Sequence, residues 1–416
     1  MTAAMSLREL LDEQVRRDPY PCYARLHDLG EAVRLGEHDK YAAAVHGYQA
    51  VDQVLRDPAF GVLEPEFADR SGTRWREHPV LRTLQASMFN AGGGDLLRVR
   101  HLFGQVLGAR RVAAMEPTIR RVAERALDRL AVAGADGAAV DFVTEFGVPV
   151  TADIIGEIVG VPPADRAGFP SKVRTFDAVL ELGERSFRVL LAADAAADEL
   201  NAYFASLVAA RRADPRGDLI SDLARAQAEN PDLLTETELL ANLVIFFNAG
   251  FRTTANLLGS SLTLLFDHPD ALAALRADPS LCDAYVEEML RYEPPVHFAV
   301  RYAAEDTEVG GVPVAKGQAV IVLIGAANRD PRQFRDPDTF DPTRTDNHHI
   351  AFSAGPHFCL GAALGRVEGR VIVPLVLARF PALGLAGRPT GRRQYFMRGH
   401  EHLPVRPAGP ERKRNA

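Results

Sequence analysis

The chain is expected to fold as a mainly α protein with a small β region, and three observations predict it. Apolar residues recur at helical spacing over residues 95–135, 140–160, 185–213 and 236–267. After Pro294-Pro295 the pattern changes. Val312-Pro-Val-Ala-Lys-Gly-Gln-Ala-Val-Ile-Val-Leu323 holds two short β-prone runs about a Lys-Gly turn, as a hairpin would. No repeat, low-complexity linker or composition shift divides the chain, so residues 1–404 read as one domain and 405–416 as a short solvated tail.

Taken in order, the first 60 or so residues alternate helix and strand signals, with Asp57-Pro-Ala-Phe60 as a turn. Asp214-Pro-Arg-Gly-Asp218 breaks the chain between two helical segments. Residues 239–266 are long and apolar enough to span a bilayer, but they contain Asn242, Asn248, Arg252 and Asn256. A lipid-facing helix would carry a heavy penalty for Arg252, so the segment reads as a helix buried through a protein core. Residues 329–353 are rich in Pro and Asp and read as ordered loop, and residues 362–373 resume a helical pattern.

Composition narrows the function classes. At 416 residues with 47% hydrophobic and 25% charged residues, the chain is an ordinary globular protein with a large core. A net charge of −7 gives no global reason to bind nucleic acid. Cys22, Cys282 and Cys359 are too few and too scattered for a disulfide framework, which suits a reducing compartment. The first thirteen residues lack an apolar run of signal-peptide length, so a cytoplasmic location is expected, with no membrane partner.

The segment Phe352-Ser-Ala-Gly355-Pro-His357-Phe-Cys359-Leu-Gly361 carries the strongest chemical signal. It places one soft ligand in a glycine-hinged loop that runs into a helical pattern. A thiolate at a helix N-terminus is favoured by the macrodipole and by unpaired backbone N–H groups. Gly361 is expected to turn the backbone so that those groups face the sulfur. His357, two residues earlier, can reach a carboxylate on whatever the sulfur binds. A single Cys ligand under a planar cofactor is the pattern of haem-thiolate iron.

This stretch resembles the haem-binding signature of the cytochrome P-450 family, Phe-x-x-Gly-x-[His/Arg]-x-Cys-x-Gly, at every defined position. Further blocks follow the family order: Asp18-Pro-Tyr-Pro-x-Tyr23, Ala249-Gly250-x-x-Thr253-Thr254, Glu288-x-x-Arg291, and Asn328-Arg-Asp-Pro331 leading into Phe340-Asp-Pro-Thr-Arg344. The resemblance implies a helical triangular prism with a small β region. It also implies haem b as cofactor, with Cys359 as the axial thiolate in a loop framed by Phe352 and Gly361. It further implies a buried Glu288, Arg291, Arg344 triad shaping that loop. Arg100, Arg301 and His357 match positions that pair the haem propionates. Ala249 and Gly250 match the gap beside the iron, and Asn248, Phe298, Val300 and Phe396 match positions lining the substrate side.

The implied activity is a haem-thiolate monooxygenase acting with dioxygen on a small apolar or mixed molecule of secondary metabolism. No flavin or iron–sulfur pattern is present, so electrons are expected from separate partners, which the resemblance implies are a ferredoxin and its reductase, docking on Arg98, Arg110, Arg111 and Arg366. A peroxide-driven peroxygenase and a non-catalytic haem or small-molecule binder are the alternatives.

Two departures stand out. Leu96 occupies a position where the family usually has a propionate-binding His, and His349 is either its substitute or a solvated side chain. Arg252 replaces the acid that usually precedes the catalytic alcohol, here Thr253. A guanidinium does not donate protons near neutral pH. Arg252 is therefore free to pair with a substrate carboxylate, a propionate or a nearby Asp, or to point to solvent while Thr253 and water carry the relay. The sequence leaves these open.

Overall fold

The computed structural model describes residues 4–407 apart from 37–39, 71–73, 183–185 and 393. Its principal helices are α1 (Gly93–Leu107), α2 (Glu116–Ala133), α3 (Val148–Val159), α4 (Phe169–Asp177), α5 (Phe187–Ala213), α6 (Glu236–Asp267), α7 (Cys282–Tyr292) and α8 (Ala362–Arg379). The helical stretch expected over 95–135 is interrupted twice. Gly108 caps α1, and a short helix, Ala109–Ala114, ends before α2. The stretch expected over 140–160 begins as strand at Val140–Asp141, and its next turn, Val143–Gly147, is π-helical; only α3 is regular. Pro374 sits inside α8 without ending it, so that helix outruns its expected limit at 373.

Helix α6 is the axle. Its start is fixed by a capping box, in which Thr235 accepts from the Glu238 N–H and the Glu238 carboxylate accepts from the Thr235 N–H. Its N-terminal half packs Leu239, Leu243, Val244 and Phe247 into a core shared with α1, α4 and α5. Its C-terminal half packs Leu257, Leu258, Leu262 and Leu265 into a core shared with α2, α3, α7 and α8. Apolar residues facing two cores suit a helix surrounded by protein. Gly250 marks the closest approach in its middle: a Cβ there would lie 2.5 Å from the Ile155 Cδ1 of α3.

The β region centres on a six-stranded sheet. Numbered along the chain, β1 is Ala4–Met5, β2 Ala32–Leu35, β3 Tyr41–Val45, β4 Phe60–Gly61, β5 Ala299–Ala303 and, after a hairpin, β8 Ala319–Val322; the order across the sheet is β1-β2-β3-β8-β5-β4. The hairpin itself lies elsewhere than expected. Strands β6 (Thr307–Val309) and β7 (Val312–Val314) pair with each other through Gly310-Gly311. The run after Lys316-Gly317 is β8, which pairs with β3 and β5 instead. The Lys-Gly turn therefore passes the chain from one sheet to another. The tail expected from residue 405 starts later, because strand β9 (Pro404–Arg406) pairs with Val140–Asp141 and Val405 is fully buried. Residues 408–416 lie outside the described residues.

Candidate active site

Cys359 stands one turn before α8, in a loop held at both ends. Its own N–H donates to the Phe352 carbonyl at 2.8 Å, and the Phe358 N–H donates to the Gly355 carbonyl at 3.0 Å. Glycine is required at Gly355, whose φ is +66° and where a Cβ would sit 2.3 Å from the Leu55 carbonyl oxygen. Gly361, by contrast, has an ordinary φ of −85°, so the expectation that its flexibility turns the backbone is not met. Its N–H nevertheless acts on the sulfur, lowering the thiol. Protein packs closely around Cys359 and burial pushes the thiol up; the Gly361 N–H, Arg100 and Arg366 act the other way. What remains accessible of Cys359 is surface facing a cavity.

Behind this loop lies the Glu288 pair. Arg291 grips Glu288 with two hydrogen bonds of 2.8 Å, both side chains being fully buried. The Arg291 guanidinium also donates to the carbonyls of Asn328, Pro337 and Thr339, and the Asp341 N–H donates to Glu288 at 2.8 Å. One helix face thereby pins the long irregular segment that leads to the cysteine. Arg344 joins less firmly: its Nε is 3.6 Å from Glu288 and makes no hydrogen bond, while its Nη1 donates to the Arg335 carbonyl.

The cavity facing Cys359 has a volume of about 480 Å³. The middle of α6 forms one wall with Asn248, Ala249, Gly250 and Thr253. Strand β5 and the segment before it bring Phe298, Val300 and Arg301, and the C-terminal segment brings Phe396. Arg100 of α1 and Phe352, His357 and Gly361 of the cysteine loop close the remainder. Residues chosen from five separate sequence blocks thus meet at one space.

The charge around Cys359 is unbalanced. Arg301 is 7% exposed, its Nη1 donates to the Val300 carbonyl at 3.0 Å, and burial pushes it down to about 10. Arg100 donates to the Phe358 carbonyl at 2.8 Å and is also lowered by burial. His357 is pushed down to about 4, first by burial and then by Arg301 and Arg100. Among the described residues neither arginine forms an ion pair with a carboxylate. Buried like charges without a counterion are costly, and two propionates of a haem are the anions this arrangement lacks. The donor set and the sulfur fit haem b.

Several expectations are corrected here. Arg252 neither points to solvent nor lines the cavity. It is 3% exposed, with Nη1 2.5 Å from the Asp177 carboxylate and Nη2 2.8 Å from Gln394 Oε1; its Nε has no hydrogen-bond partner. Of the partners the sequence left open, the nearby Asp is the one the structure supplies, so Arg252 stands in a structural ion pair rather than at the reacting centre. His349 is neither solvated nor at the cavity, since its Nε2 meets Glu287 at 3.0 Å. Leu96 is buried. Of the expected docking arginines, Arg98 pairs with Glu238 and Asp95, Arg111 with Asp222 and Arg366 with Glu287; Arg110 and Arg111 are the exposed ones.

Sequence reading missed three carboxylates. Glu368 is 1% exposed, accepts from the Thr254 hydroxyl at 2.8 Å, and is pushed by burial up to about 8. Its one sequence signal was an acid among Leu364, Val367, Val371 and Ile372 in an apolar helix. Asp177 and Glu181, which line the cavity beside Asn248, had no signal at all.

A cysteine at a helix start, facing an enclosed cavity flanked by unpaired cations, defines a haem-thiolate protein. Comparison with known proteins agrees. Residues 173–383 match the family model for cytochrome P450. The chain is 37% identical to Cytochrome P450 107B1 of Saccharopolyspora erythraea, over 95% of this chain and 96% of that one. It is 38% identical to 6-deoxyerythronolide B hydroxylase of the same organism, over 96% and 98%. Among solved structures, P450BioI in complex with an acylated acyl carrier protein superposes with a TM-score of 0.86 at 31% identity, covering 95% of this chain and 99% of that one.

The chain belongs to the cytochrome P450 family. It is a haem-thiolate monooxygenase whose cofactor is haem b. Among the described residues no helix is long and apolar enough to cross a membrane.

Proposed function

We propose that Cys359 is the axial thiolate, that Arg100, Arg301 and His357 hold the haem propionates, and that a small, largely apolar molecule is oxygenated beside Ala249, Gly250 and Thr253. The observation that carries this reading is the meeting of Arg100 and Arg301, without a carboxylate partner, on the same cavity as Cys359. When bound, the haem supplies oxygen activation and transfer, which thiolate donation favours. The protein's part is placement and protons. The Thr253 hydroxyl, now donating to the Ala249 carbonyl at 2.8 Å, lines the cavity and holds a proton at Oγ1. Glu368, protonated at neutral pH, holds a second one beside Thr254. Phe298, Val300 and Phe396 exclude water from the substrate side.

Electron supply by a ferredoxin and its reductase belongs to this proposal. It is supported by the absence of a flavin or iron–sulfur pattern in the sequence. The peroxide-driven alternative rests on Arg252 at the usual acid position; the engagement of that guanidinium with Asp177 and the presence of Thr253 speak against it. The test is the reduced carbon monoxide spectrum. The parent is expected to show the red-shifted band of thiolate ligation, and Cys359→His to lose it. Survival of the band in Cys359→His would overturn the assignment.

A further inference from the structure

One wall of the cavity, formed by the end of α4, the residues after it and the segment around Phe396, carries a charge that the protein does not match. Two carboxylates line it, Asp177 and Glu181. Asp177 is compensated by Arg252 at 2.5 Å. Glu181 is not. Its Oε2 accepts from the backbone N–H groups of Tyr395 at 2.9 Å and Phe396 at 3.2 Å, which fix its direction. Among the described residues it forms no ion pair, and Arg252 and Arg16 act on it only at longer range. Burial pushes its carboxyl up, the direction expected of an anion short of counter-charge.

Asn248 supplies a second, independent observation on the same wall. It is 4% exposed, its Nδ2 faces Asp177 at 3.4 Å, and its Oδ1 is buried with no partner. An acceptor left unsatisfied in a cavity wall asks for a donor from the occupant. Among the described residues Glu181 therefore lacks a directly paired cation and Asn248 Oδ1 lacks a donor; the further buried guanidinium on this side, Arg392, acts on Asp177 and Arg252. A carboxylate occupant would meet Glu181 with like charge, while the guanidinium that could have received it is already committed to Asp177 and Gln394.

We propose that Glu181 anchors a cationic nitrogen of the substrate, with Asn248 as a second acceptor, so that the substrate is an apolar skeleton bearing a protonated amine or guanidinium group. This rests on the monooxygenase reading above and names the substrate class for the same site. Held at that point, the cation fixes which carbon of the skeleton lies toward Cys359, so Glu181 is a specificity-determining residue.

The test uses the haem-loaded protein and three probes with one cage and different charge: 1-adamantylguanidinium, 1-adamantanol and 1-adamantanecarboxylate. The guanidinium stays protonated at neutral pH, so it does not ligate iron through a lone pair. Dissociation constants come from spin-state absorbance titrations. The guanidinium is expected to bind about tenfold more tightly than the alcohol, and the carboxylate most weakly. Glu181→Gln is expected to raise the guanidinium constant about tenfold and leave the alcohol's unchanged, while Glu181→Asp keeps most of the preference. Equal affinity for guanidinium and alcohol, or a preference that persists in Glu181→Gln, would overturn the anchor. The reduced carbon monoxide band is read alongside. Its absence in the parent overturns the haem-thiolate reading itself, whereas an intact band with flat affinities overturns only the role of Glu181.

Discussion

Arg252 and Asp177 form an ion pair of 2.5 Å that ties the middle of α6 to the end of α4, with both side chains almost fully buried. Gln394 takes the second arm of the guanidinium, so three chain segments meet there. Burial pushes Asp177 up to about 6 even against this partner, which shows how much desolvation the pair must overcome.

Breaking that pair from one side should therefore be worse than removing it. Arg252→Ala leaves a buried carboxylate and is expected to cost about 3–5 kcal/mol in urea unfolding. The double variant Arg252→Leu with Asp177→Leu should recover much of the loss. Strict additivity of the two single changes would show that they do not act as a pair.

Thr253 and Arg252 should separate in turnover. Thr253→Ala removes the cavity hydroxyl and is expected to divert electrons to hydrogen peroxide. Arg252→Ala should leave the ratio of product to peroxide near the parent value while lowering stability. Measuring product, peroxide and electron consumption for both variants checks this, and equal uncoupling by Arg252→Ala would return a chemical role to that residue.

The Glu288 triad is expected to be unequal. Arg291→Ala strands a fully buried carboxylate and should cost about 3–5 kcal/mol, with little haem retained after purification. Arg344→Ala removes a 3.6 Å contact without a hydrogen bond, so haem loading should fall less. Haem-to-protein absorbance ratios for the two variants decide it.

Glu368 predicts a pH dependence. Its carboxyl rises from 4.5 to about 8 on folding. The folded state therefore holds the proton that the unfolded state has released, and stability is lost as pH rises through that window, by at most about 1.4 kcal/mol per pH unit. Thermal unfolding between pH 5 and 9 should show the parent losing more stability with rising pH than Glu368→Gln does over the same range. Parallel curves would mean that Glu368 is ionised in the fold.

The cysteine loop, the Glu288–Arg291 pair and the buried α6 were legible in the sequence because each rests on short-range rules. A ligand, its glycine hinge and the helix behind it lie within a dozen residues, and two residues three apart share a helix face. Helical periodicity likewise marked α5 and α6 nearly to their ends. What failed was partner choice. Nothing local says that the strand after Lys316-Gly317 pairs with β3 and β5, or that β9 continues past residue 404. Nor could Arg252 announce Asp177, 75 residues away, since the pairing exists only once α4 is laid against α6. The same holds for Glu368 and Glu181. Their identity is written in the chain, but their charge state and availability depend on desolvation and on neighbours from distant segments, and those exist only when the cavity has closed.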